Sequence, residues 1–218
     1  SNLDTSKKYE QTEARNKMPL YRLKKSYQIH LYTSLAPCGA ASIANIDINN
    51  ATGNGIGGAV SFTTTGSGDV TFDNGTTAIN LGTVSVVGTL AVQSGDAITD
   101  SGVITVGGAA SFTTDLSGKP ITLNSQNAIT GAVTFDTTST GGDVSFDNGT
   151  TAINLAAHGS GAIGGDLILQ TDAATTISNA VTMNTSGAAL SITVDGGNAL
   201  NVQSTLTTNA GAITLSAD

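Results

Sequence analysis

From residue 58 onward, apolar residues return two apart in short bursts: Val60/Phe62, Val70/Phe72, Ile79/Leu81, Val84/Val86, Ile104/Val106, Ile121/Leu123, Val133/Phe135, Val144/Phe146, Leu167/Leu169, Ile192/Val194 and Ile213/Leu215. A spacing of two puts both side chains on one side of an extended backbone, so each burst predicts a short strand with one buried face. Gly, Asn, Asp, Ser and Thr fill the gaps, as in Asp73-Asn74-Gly75 and Asp195-Gly196-Gly197. These residues supply positive φ or side-chain-capped turns, so the gaps predict tight reversals. No segment after residue 44 keeps the i, i+3, i+4 apolar spacing of a helix. The chain is therefore predicted to be all-β.

Strands this short and this evenly spaced fit a sandwich, a barrel or a solenoid. An internal repeat chooses among the three. GDVTFDNGTTAINL at 68–81 returns as GDVSFDNGTTAINL at 142–155, identical at thirteen of fourteen positions at an offset of 74. Upstream, GAVSF (58–62) matches GAVTF (131–135) at an offset of 73. The one-residue slip falls in a polar Gly/Ser/Thr stretch, where a loop absorbs an insertion without moving a strand out of register. Stacked similar units bury their apolar faces against one another, so the repeat predicts a solenoid. Coils of roughly 20 residues would give about nine windings and, at ~4.8 Å each, a rod of ~40 Å. The two fourteen-residue copies are expected to occupy equivalent windings.

Composition divides the chain in two. Residues 1–43 carry seven of the eight Lys and Arg and three acids, a net charge of +4. Residues 44–218 carry Lys119 and thirteen Asp, a net charge of −12. All four Tyr lie in the first segment and all five Phe in the second, which places a boundary near 43–45. The acidic segment lacks the clustered Lys and Arg that phosphate binding requires, which excludes it as a nucleic-acid binder. No run of 18 apolar residues exists, so no membrane span is expected. Cys38 is the only cysteine, which rules out an intrachain disulfide and leaves the redox compartment unread. No signal sequence is visible, and the chain opens on Ser1, as expected of a fragment.

The repeats at 94–114 (SGDAITDSGVITVGGAASFTT), at 131–155 and at 201–218 (NVQSTLTTNAGAITLSAD) resemble the filamentous-haemagglutinin-type repeats of large secreted bacterial adhesins. The resemblance runs from about 44 to 218. It implies a right-handed parallel β-helix, exported from a Gram-negative cell and acting as a non-catalytic rod or display surface. Its partner would be an unidentified surface ligand or receptor, and its location the cell surface or the medium.

Candidate chemistry in this segment is sparse. Asp69 and Asp73 could suggest the carboxylate pair of a polysaccharide-cleaving enzyme. Both recur with the repeat as Asp143 and Asp147, and a catalytic pair has no reason to be copied with the scaffold. The Asp-rich turns invite a calcium reading, but the pattern G-G-x-G-x-D is met nowhere, and turn chemistry explains them. His158, in the Gly-rich AAHGSGAIGG, is expected to be a loop histidine.

In the basic segment, residues 22–43 (RLKKSYQIHLYTSLAPCGAASI) predict an apolar strand over 28–34 followed by Pro37-Cys38-Gly39. This resembles the editase domain of RNA- and tRNA-specific adenosine deaminases, which would carry a zinc-ligand role over to Cys38. That chemistry needs a His, two Cys and a Glu around the zinc. Here there is no H-A-E motif, no second cysteine, and Ala40 stands where the family has Asp. His30 is read as a partly buried strand residue. As it stands the chain is expected to carry no cofactor, with zinc and an RNA partner only if missing parts complete the domain. The alternative reading is thus a fragment of a zinc-dependent RNA adenosine deaminase.

Overall fold

The computed structural model describes residues 30–32, 45–49, 54–137, 141–158 and 162–218. Among them there are strands and turns and no helix. The chain winds as a three-faced parallel β-solenoid. The first face stacks the strands Ile46–Asn49, Val70–Asp73, Leu90–Ser94, Ala110–Thr114 and Val133–Asp136. The second runs from Ile79–Leu81 through Ile98–Asp100, Ile121–Leu123, Val144–Asp147, Leu167–Thr171 and Leu190–Val194 to Ile213–Ala217, seven strands in an unbroken parallel ladder. The third holds Val84–Val86, Ile104–Val106 and Ala128–Ile129. Strand Ala59–Thr63 bends across a corner: Val60 pairs with Leu81 on the second face and Thr63 with Ser85 on the third.

The register fixes the winding length. Ile98, Ile121, Val144, Leu167, Leu190 and Ile213 are successive partners, so each of five consecutive windings advances the numbering by 23, the same separation that joins Asp166 to Asp143. The step from Ile79 to Ile98 takes 19. Windings are therefore longer and fewer than the expected nine coils of roughly 20. At about 4.8 Å per winding, the seven strands of the second face rise about 30 Å.

The alternation seen in the sequence becomes the inside and outside of this tube. Val60, Phe62, Val70, Phe72, Ile79, Leu81, Val144 and Phe146 are all at most 1 % exposed. Inward side chains pack on their ladder partners in neighbouring windings, as Phe112 does on Phe135, and across the core between faces, as Phe135 does on Phe146. The five Phe form two groups, Phe62 with Phe72, and Phe112, Phe135 and Phe146. Phe62 and Phe72 lie 5.4 Å apart at 60° between rings, and Phe135 and Phe146 lie 5.4 Å apart at 58°.

The same fourteen residues do not occupy equivalent windings. Val70 opens a strand of the first face and Val144 a strand of the second. The second copy lies three windings and one further face along the chain, because the offset from 68 to 142 is not a whole number of windings. The expectation of equivalent positions is thus corrected. Three similar faces meeting at similar corners give the copies like surroundings, and the matching Phe pairs are one sign of it. The upstream slip is explained at the corresponding corner of each copy. Thr64 Oγ1 donates to the Gly68 carbonyl four residues on, and Thr137 Oγ1 to the Gly142 carbonyl five residues on, at 3.0 and 2.8 Å. The extra residue is accommodated inside the bracket.

The segment that opens the chain contributes strand His30–Tyr32, inside the predicted 28–34. It pairs in parallel with Ala59–Thr63, His30 opposite Ser61.

Candidate functional site

The corners are where the polar chemistry concentrates. At each one the chain leaves the ladder, and buried backbone groups need partners from side chains. Asp73 and Asp147 each end a strand, and their Oδ1 atoms accept the Gly75 and Gly149 N–H at 2.7 and 2.8 Å. Those glycines turn at φ 62° and 53°, a conformation that costs a Cβ-bearing residue free energy. Between the Asp and the Gly in each copy stands an Asn. Asn74 Oδ1 accepts the Ile56 N–H at 2.8 Å, and its Nδ2 donates to the Ile56 and Ala78 carbonyls, both at 3.0 Å. Asn148 does the same to Ile129 and Ala152, at 2.9, 3.0 and 3.0 Å.

The following winding closes the set. Ser94 Oγ donates to the Thr77 carbonyl and Thr171 Oγ1 to the Thr151 carbonyl, at 2.9 and 2.8 Å. The sequence speaks only for the turn chemistry of DNG. It misses the Asn side chain's bridge to another winding, since the partner Ile is 18 or 19 residues away.

Asp69 and Asp143 immediately precede the same strands and bond one winding onward. Asp69 Oδ1 accepts the N–H and hydroxyl of Thr89 at 2.7 and 2.9 Å, and Asp143 Oδ1 accepts the Asp166 N–H at 2.9 Å. The Thr89 N–H and hydroxyl hold the Asp69 carboxyl below the usual range. Asp166 Oδ1 hands the pattern on, accepting the Ala189 N–H at 2.8 Å. All four repeated acids are thus engaged in the framework.

His158 refines the sequence reading. It lies between strands, as expected, but it is not exposed: it is buried at 2 % exposure, bridged to Val181 in the next winding, with its ring 6.2 Å from that of Phe135. The Gly-rich surroundings suggested a loop. The apolar contacts that bury it come from other windings.

On the outside, the second face carries Thr99, Thr122, Ser145, Ile168, Ser191 and Thr214 in one straight row, each opposite the next. The first face carries a shallow furrow of about 60 Å³ lined by Asn49, Thr71, Asp73, Gln93, Ser111 and Thr113 among others. Acids gather near the corner after the second face. Partial burial pushes the Asp147 carboxyl up against the opposing pull of the Gly149 N–H, and the charges of Asp172, Asp100 and Asp195 add to the rise. Lys119 pairs with Asp96 at 2.9 Å and, with the Ala97 N–H, holds that carboxyl down.

Cys38 and the rest of Pro37-Cys38-Gly39 lie outside the described residues. Among the described residues no three His, Cys, Asp or Glu gather as a metal would need, and no helix is long and apolar enough to cross a membrane. The residues present do not fit a deaminase zinc: Cys38 is the sole cysteine, and the ring nitrogens of His158 are taken up by Phe135 N–H and Ala156 O.

A family model described as repeats of unknown function (DUF5649) matches residues 67–136, about a third of the chain. That stretch runs from the corner before Val70–Asp73 to the end of Val133–Asp136, from one first-face strand to another three windings on. No curated protein and no solved structure matches the chain. The chain is thus a repeat-type β-solenoid, similar over residues 67–136 to repeats of unknown function.

Proposed function

We propose that residues 44–218 are a rod segment of a secreted or cell-surface, adhesin-like repeat protein, which holds a binding surface in place and does no chemistry itself. The observation that carries this reading is the unbroken seven-strand ladder of the second face, whose in-register outer row starts at Asn80 and is hydroxyl-bearing from Thr99 to Thr214 except at Ile168. Such a wall presents a long, flat, repeated surface to a ligand or receptor. The repeated acids support the non-catalytic part, since Asp69, Asp73, Asp143 and Asp147 all spend a carboxylate oxygen on backbone N–H groups. The acidic balance of this segment favours partners other than nucleic acid.

Labelling intact source cells and their medium with antibody against the full chain tests the location. Signal on the surface or in the medium is expected, and signal confined to lysed cells overturns the reading. An inosine assay of the zinc-supplemented chain tests the chemistry. Product above that of a Cys38→Ala control would overturn the non-catalytic assignment.

A further inference from the structure

On the first face, the ladder between Val133–Asp136 and the winding above begins normally. The Val133 N–H donates to the Asn154 carbonyl and the Ala156 N–H to the Val133 carbonyl, both at 2.9 Å. One step further, a parallel ladder would join the Phe135 N–H to the Ala156 carbonyl. Instead the Phe135 N–H donates to Nε2 of His158 at 3.0 Å, and Nδ1 of the same ring lies 2.7 Å from the Ala156 carbonyl. The imidazole is inserted into the ladder as a relay. Only the neutral ring with its proton on Nδ1 satisfies both contacts. The His158 backbone reaches the next winding, its N–H donating to the Ala180 carbonyl and its carbonyl accepting the Thr182 N–H, both at 3.1 Å. One residue therefore ties three windings together.

We propose that His158 is a proton-operated latch in the wall of the rod: its neutral imidazole closes the ladder between Phe135 and Ala156, and protonation opens it. A proton on Nε2 would face the Phe135 N–H, donor against donor, inside an apolar interior. The charged group whose field reaches the ring is Asp136, on the strand of Phe135, and it favours the proton. Residues 154–157 and strand Val181–Ser186 carry no titratable side chain. Asp147, on the strand of Phe146, faces Asp172, Asp100 and Asp195.

Burial outweighs the Ala156 carbonyl and Asp136, and holds the imidazole below its ordinary value of 6.5. The opened state consequently binds the proton more tightly than the closed one. The latch's contribution is complete above about pH 6.5 and is lost as the pH falls below that value.

The full-length chain provides the test, because His30 and His158 are its only histidines. Imidazole ¹⁵N shifts are expected to show His158 as the Nδ1–H tautomer at pH 7.5. Exchange of the Phe135 amide, corrected for its intrinsic pH dependence, should accelerate up to tenfold for each unit below about pH 6.5. His158→Gln should abolish that acceleration, and His30→Gln should leave it intact. An Nε2–H tautomer, a ring titrating at the ordinary value, or unchanged acceleration in His158→Gln would overturn the latch. Should His158→Gln fail to fold, the ¹⁵N measurement on the unaltered chain decides alone.

Discussion

Asn148 holds both backbone polar groups of Ile129 in the neighbouring winding, its Oδ1 accepting the N–H at 2.9 Å and its Nδ2 donating to the carbonyl at 3.0 Å. A side-chain amide has the donor and acceptor of a peptide group, so it can stand in for a strand where the chain turns a corner. Asn127 and Thr175 extend the arrangement along the same edge, accepting the N–H of Ile104 and Ile153 at 2.8 and 3.1 Å. Asn74 repeats it with Ile56 at the preceding corner of the cross-section. The duplicated sequence therefore encodes a corner, and a corner can be placed between any two faces.

Asn148→Ala removes these bonds and leaves the Ile129 N–H buried without a partner. We expect a loss of about 2–4 kcal/mol, measured as the shift in urea unfolding, with a similar loss for Asn74→Ala. Asn148→Asp keeps the acceptor but sets a carboxylate against the Ile129 and Ala152 carbonyls. It should lose at least as much at pH 7 and recover part of it in acid, where a protonated carboxyl can donate again. A change below about 0.5 kcal/mol in Asn148→Ala, within the range of ordinary surface substitutions, would remove the bridge from the account of stability.

At the corner before the first face, windings approach too closely for a side chain. The Gly108 N–H donates to the Gly88 carbonyl at 2.9 Å, and a Cβ at Gly108 would stand 2.5 Å from that oxygen. Gly108→Ala should cost about 1–3 kcal/mol by overpacking. Gly57→Ala, where a Cβ meets nothing within 4 Å, should be close to neutral. Thermal melts of the two variants separate crowding from the general effect of replacing glycine.

Asp147 carries a charge that its surroundings oppose. Burial raises its carboxyl above the usual range, and the three neighbouring aspartates add to the effect. A group whose folded pKa is raised disfavours folding once ionised, so this penalty is present at neutral pH and vanishes as the carboxyl protonates. Asp147→Asn retains an acceptor for the Gly149 N–H and removes the charge. The variant should be at least as stable as the parent at pH 7, with any gain fading in acid. A clear loss at pH 7 in urea unfolding would contradict this.

Ser145→Thr makes the two fourteen-residue copies identical. Position 71 is already Thr on the first face, and Ser145 holds the same outward place on the second, its Oγ 3.0 Å from Asn124 Oδ1. Like surroundings on both faces predict a change of no more than about 0.5 kcal/mol. A large loss in the urea midpoint would mean that the faces differ in what they accept.

Three features of this protein can be read from its residues without coordinates: it is all-β, side chains two apart point inward, and stacked units bury them. They are legible because strand periodicity and tight-turn chemistry are local, acting over two to four residues. The insertion between Thr137 and Gly142 is legible too, since a slip between duplicated strands has to fall in the turn between them.

What each unit meets is set by packing between windings. The length of a winding, the rotation of the second copy by one face, the bridge from Asn148 to Ile129 and the burial of His158 all depend on which distant segments lie side by side. Partners 18 to 27 residues apart leave no local pattern in the chain. A polar residue in a glycine-rich stretch reads the same in a sequence whether it faces water or is covered by neighbouring windings.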